Sequence, residues 1–247
     1  MSAHFAVSPT PRRGAVAVLV ICLLGFLAGE VAATAALLIG VAVTHFPGGL
    51  NALARASRPP WWANVASLVG LWVGFGAAIA YASRPERGDA WPQRWAARPG
   101  DILYVLVGVG CQVVVSLAYA PFHVRSLNRP VHHLFGSAHG AALVLLGVLT
   151  IVGAPVVEEW FFRGVLFRGL RQGFGAESVV ATTAAVVLSA VLFALAHGEL
   201  AQFAGLAFLG VVLAVLVVRT GRLVPSVVAH ASFNAVAFAA LLARPGR

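Results

Sequence analysis

Apolar residues gather along the chain into seven segments, roughly 15–44, 60–82, 101–121, 139–172, 177–197, 200–218 and 223–243. Most run for about 20 residues, the length an α-helix needs to cross a ~30 Å hydrocarbon core. The pattern predicts an all-α, polytopic transmembrane helical bundle of about seven to eight spans. The uncertainty in the count lies in the fourth segment. As one helix, 139–172 is about 50 Å long at 1.5 Å per residue, too long for an untilted crossing. Gly153 and Pro155 lie in its middle, where a missing N–H and a ring clash predict a kink or break. Pro155 then falls near the first turn of a new helical piece, just ahead of two glutamates. A split there would invert the sidedness of everything after it.

The polar connections are short. Residues 83–100 are the most polar, 122–138 are rich in histidine, and no stretch is large enough for a soluble domain. We divide the single membrane domain into N-terminal transmembrane helices, 1–138, and a core, 139–243. The first segment follows Arg12 and Arg13, as in a signal peptide, but at about 30 residues it is too long for an h-region. It reads as a retained helix.

Composition agrees with a membrane class. Of 247 residues, 60% are hydrophobic and only 10% charged, against about 25% charged in soluble domains. The net charge of +9 comes from 17 arginines and no lysine. A basic balance of this size raises the possibility of a nucleic-acid partner, but the arginines occupy the connections between spans, so none is expected. With the N-terminus in the cytoplasm, ten arginines fall inside (12, 13, 84, 87, 94, 98, 168, 171, 219, 222) and six outside (55, 58, 125, 129, 244, 247). The expected location is the bilayer of a bacterial cell (inner) membrane, since an all-arginine, alanine-rich chain hints at a GC-rich genome. Cys22 and Cys111 both lie in apolar runs and read as packing residues.

Ionisable groups inside membrane segments are costly unless paired or facing a wet cavity. Here they are Glu30, the trio Glu158, Glu159 and Arg163, then His197, then His230, with the neutral amide of Asn234 one turn on. Glu159 and Arg163 stand at i and i+4 and can pair on one helix face. Glu158 is rotated by about 100° and lacks that partner. The competing reading is that all three only tie helices together. His197 follows Phe193 at i+4, and His230 and Asn234 are also i and i+4. Taken singly, the histidine reads as interfacial and the asparagine as interhelical glue. Glu30 has no partner in its own helix and reads as a packing contact or part of a cavity lining.

Together these groups are the parts of a hydrolase. A carboxylate and a histidine polarise a water, while a second histidine and an amide donate to the oxyanion formed on a carbonyl. No GxSxG elbow and no cysteine near a histidine points to a covalent nucleophile. There is no HExxH, and no cofactor is expected, although two glutamates and two histidines are also a donor set that a divalent metal such as zinc accepts.

The three patterns, Glu158-Glu159-x-x-x-Arg163, Phe193-x-x-x-His197 and His230-x-x-x-Asn234, resemble in this order the CPBP family. These are the CAAX-protease and bacteriocin-processing intramembrane endopeptidases, also called Abi, which include the Rce1-type prenyl-protein proteases. The resemblance covers about residues 139–243. It implies that Glu158 and His197 activate the hydrolytic water and that Glu159 and Arg163 support the first motif. It implies further that His230 and Asn234 stabilise the oxyanion and that Phe193 packs near the site. The implied activity is that of a membrane-embedded endopeptidase acting on a membrane-associated peptide or protein: a prenylated tail, or the leader or sorting tail of an exported peptide. The family is described both as glutamic-type and as metal-dependent, and the lack of a recognised zinc motif favours the glutamic type. A non-catalytic immunity or scaffold protein retaining the fold is the alternative. A transporter is disfavoured by the lack of an inverted repeat.

One requirement follows from the spans. His197 falls near the outer end of its helix and His230 nearer the inner end of its own. Joint action needs a common depth, which a break at His197-Gly198-Glu199 within the membrane would provide.

Overall fold

Each apolar segment becomes a helix with ends close to those read from the pattern. The computed structural model describes residues 14–82, 95–122, 127 and 129–243. Among them, seven helices are long and apolar enough to cross a membrane. They are α1 (Ala15–Thr44), α3 (Trp61–Ala82), α4 (Tyr104–Tyr119), α6 (Gly140–Phe174), α7 (Val179–Ala196), α8 (Phe203–Thr220) and α9 (Val224–Leu242). Short 3-10 turns extend α4 to Pro99–Phe122, and another, Leu200–Gln202, leads into α8. Two one-to-two-turn helices, α2 (Gly49–Arg55) and α5 (Arg129–Phe135), lie in connections. The chain is an integral membrane protein of all-α fold.

The expected break in the fourth segment does not occur. α6 runs unbroken through 35 residues and instead widens into π-helical turns at Leu149–Gly153 and Trp160–Phe167. Pro155 sits in the first positions of the α-helical piece between them. Its missing N–H would orphan a carbonyl in a regular α ladder. Shifting the ladder to i→i+5, as in the bond from the Ala154 N–H to the Leu149 carbonyl, accommodates it without interrupting the helix. The count among the described residues therefore stays at seven.

Small residues let the helices approach closely, as lipid-embedded helices require. A Cβ on Gly74 would collide with the backbone of Gly25 and Gly29, which locks α3 against α1. A Cβ on Gly108 would collide with the Ala229 carbonyl and Ser232, which joins α4 to α9. The main buried core draws on both parts of the chain, from Val18, Phe75 and Cys111 to Phe161, Phe193, Leu213 and Phe233. Cys22 and Cys111 are free and buried, as packing residues should be.

The connections sort to two ends. At one, Arg222 donates to both carboxylate oxygens of Asp101 (2.6 and 2.7 Å) and to the Ala96 carbonyl (2.8 Å). This ties the entry to α4 to the turn before α9. At the other end, the Asn64 amide donates to the His133 and Leu134 carbonyls, strapping α5 to α3. The arginines at 12, 13, 84, 87, 94, 125, 244 and 247, part of the basis for the sidedness, lie outside the described residues.

Candidate active site

The turn between α6 and α7 explains how residues far apart in sequence meet. Glu158 lies 16 residues before Phe174, the end of α6, and His197 lies 18 residues after Val179, the start of α7. In an antiparallel hairpin those distances are about 24 and 27 Å along the two axes, so both side chains arrive at one level. α7 stops there. His197 caps it, and Gly198, at φ +67°, turns the chain away. α9 then brings His230 and Asn234 to the same place from a third direction.

The two adjacent glutamates have different surroundings. Glu159 is fully buried, and its Oε1 accepts from Arg163 Nη1 (2.9 Å) and from His230 Nδ1 (3.0 Å). Arg163, equally buried, spends Nη2 on the Gly210 carbonyl of α8 (3.0 Å) and lies 4.4 Å over the Phe193 ring. The i,i+4 pairing expected from the sequence is present, with a histidine added to it. Glu158 has no such partner. Its Oε2 is shielded from solvent and makes no hydrogen bond among the described residues. It lies 4.0 Å from His197 Nε2 and 3.9 Å from His230 Nε2.

Both histidines are oriented by their other ring nitrogen. His197 Nδ1 lies 2.8 Å from the Phe193 carbonyl, an acceptor, so that nitrogen carries the proton and Nε2 is left for Glu158. His230 Nδ1 is committed to the Glu159 carboxylate in the same way. Phe193 is fully buried at the centre, with its ring against His197 (4.7 Å) and His230 (5.5 Å). Asn234 donates one Nδ2 hydrogen to the Thr150 carbonyl of α6 (2.9 Å), which leaves a second for other use.

All seven residues singled out in α6, α7 and α9 thus converge. Glu158, His197, His230 and Asn234 line a cavity of about 430 Å³, while Glu159, Arg163 and Phe193 sit behind them. Glu30 does neither of the things expected of it: it is exposed on α1 and is not part of the cavity wall. The sequence reading missed Gln112 of α4 and Thr150 of α6, which also line the cavity. A reading that starts from ionisable groups takes up a neutral one only where it stands a turn from a charge, as Asn234 does from His230, and so passes over Gln112, the one amide in an otherwise apolar run. Among the described residues, no group of three or more histidine, cysteine, aspartate or glutamate side chains is arranged to hold a metal ion.

Compared with known families, residues 139–236 match the family described as type II CAAX prenyl endopeptidase Rce1-like. Neither the curated proteins nor the solved structures gave a match.

Proposed function

Starting from residues 139–236 as an Rce1-like domain of the CPBP proteases, we propose that the protein is an intramembrane endopeptidase that hydrolyses a peptide bond with a water activated by Glu158 and His197. The observation that carries this reading is the unpaired Glu158 Oε2, buried at a cavity between two imidazole nitrogens at 3.9 and 4.0 Å. Those gaps are too long for direct hydrogen bonds. A water about 2.8 Å from both Glu158 and His197 would hold them at an angle of about 90°, within hydrogen-bonding range. A carboxylate without a partner at a membrane site is costly, and a reacting water gives it one.

The steps follow from the donors available. Glu158 takes a proton as the water oxygen attacks the scissile carbonyl carbon. The oxyanion accepts from the free Nδ2 hydrogen of Asn234 and from protonated His230 Nε2, an imidazolium stabilised by the Glu159 carboxylate on its other face. The tetrahedral intermediate collapses, the C–N bond breaks, and Glu158 returns its proton to the leaving amine.

Sidedness bears on the substrate. The cavity is lined by Tyr119, Leu127, Pro130, Gln202 and Leu241, which lie at the bundle end opposite the Asp101–Arg222 clamp. With the N-terminus cytoplasmic, that is the arginine-poor, outer end. This favours the leader or sorting tails of exported peptides over prenylated tails held in the cytoplasm.

The test is cleavage by the purified protein of two quenched fluorogenic peptides, one ending in a farnesylated CAAX box and one fused to a single membrane-spanning helix. Glu158→Gln and His197→Ala should each abolish turnover, and a chelator should leave it unchanged. Undiminished cleavage by both variants would sink the mechanism, and chelator sensitivity would replace the glutamic reading with a metal-dependent one.

A further inference from the structure

The cavity is not built by the matched segment alone. α4, which precedes that segment, contributes Gln112, Val115, Ser116 and Tyr119 to its wall. Their spacing of i, i+3, i+4 and i+7 makes one continuous helical face. α4 and α9 run in the same direction, because Asp101 meets Arg222 and Gly108 meets Ala229 and Ser232. Gln112 is one turn beyond Gly108 on the same face, which sets it at the level of residues 233–236, where Asn234 stands.

The Gln112 Oε1 is shielded from solvent and has no hydrogen-bond partner among the described residues. Tyr119, on the same face, is engaged: its hydroxyl accepts from the Gly205 N–H (3.2 Å). A buried amide oxygen left unpaired beside apolar walls is unfavourable unless a ligand completes it. Much of the surrounding cavity, including Val115, Leu134, Leu206, Phe233 and Phe238, offers a bound peptide no hydrogen bonds. Yet each peptide group carries an N–H and a C=O that need partners in such a place. A carboxamide supplies one donor and one acceptor side by side, the complement of a peptide group.

We propose that Gln112 is a substrate-positioning residue whose side-chain amide holds the peptide group adjacent to the scissile bond. The inference rests on the endopeptidase reading and extends it. The N-terminal helices then form part of the substrate site as well as support it, and recognition at this position is of main chain, indifferent to side-chain identity.

Binding separates this proposal from the reaction itself. In the Glu158→Gln background, which holds substrate without turnover, fluorescence anisotropy is measured with labelled forms of the farnesylated and the helix-anchored peptides. Gln112→Leu, close in size but without hydrogen bonds, should weaken binding about tenfold with the unfolding temperature unchanged. Ester analogues, replacing singly each peptide bond flanking the scissile one, supply a readout that a packing role would not move. One ester should weaken binding to the protein with Gln112 and have no further effect on Gln112→Leu. Equal affinity with and without Gln112, no binding by either, or ester effects identical in both proteins would each overturn the proposal. Gln112-dependent binding without cleavage by the wild-type protein would overturn hydrolysis, and with it the position relative to a scissile bond, and leave Gln112 as a contact to peptide main chain.

Discussion

Glu158 and Glu159 share a peptide bond and almost nothing else. Glu159 is held through Oε1 by Arg163 and His230; its Oε2, like that of Glu158, has no hydrogen-bond partner among the described residues, but only Glu158 of the two lines the cavity. A buried pair is sensitive to loss of one member because the other is left as an uncompensated charge. Glu159→Gln or Arg163→Met should therefore cost about 3–5 kcal/mol of stability, and the double variant less than the sum of the two. Denaturant unfolding of the four proteins checks this, and additive losses would show that the two groups do not act as a pair. Glu158→Gln should leave stability unchanged or raise it while removing activity. Asn234→Ala should lower kcat by about 10²–10³ with little change in KM, as for loss of one oxyanion donor. A change confined to KM would move Asn234 out of that role.

At the scale of elements, the end of α7 decides where His197 stands. Gly198 is at φ +67°, and a Cβ there would meet nothing within 4 Å, so a substitution incurs only the backbone cost. Gly198→Ala should cost about 1–2 kcal/mol and slow cleavage by displacing His197, whereas Gly198→Asn, which tolerates this conformation, should cost less. Thermal unfolding and turnover measured together test the coupling; equal effects of alanine and asparagine would refute it. The π-helical turns of α6 belong to this scale too. Pro155 warned of an irregularity, but whether the chain breaks or only shifts its hydrogen-bond register depends on the helices packed around it.

For the whole molecule, the sidedness we propose from the arginines would put the cavity at the outer end. Single cysteines in a background lacking Cys22 and Cys111 test it with an impermeant thiol reagent applied to intact cells. A cysteine at Ser57 should be labelled and one at Glu177 protected. A cysteine at Glu199 should react slowly if the turn after α7 lies within the bilayer, as joint action of His197 and His230 first suggested. Fast labelling at 199 places that turn at the surface, and labelling at 177 rather than 57 inverts the topology and returns cytoplasmic tails as substrates.

Sequence alone determined a good deal of this protein. Span limits follow from hydrophobic length, because a bilayer of set thickness and the need to satisfy backbone hydrogen bonds leave helices little choice; the choice between seven and eight spans waited on how α6 passes Pro155. The Glu159–Arg163 pair follows from i,i+4 geometry within one helix. So does the isolation of Glu158 from Arg163, since both depend on residues within a single turn. Tertiary structure alone decided how the helices combine. It put both histidines within 4.0 Å of one Glu158 oxygen, joined His230 to Glu159, excluded Glu30 and brought Gln112 to the cavity wall. Those outcomes depend on crossing positions and helix rotations set by close contacts such as Gly108 against Ala229. Periodicity along one helix carries no information about which neighbour it will face.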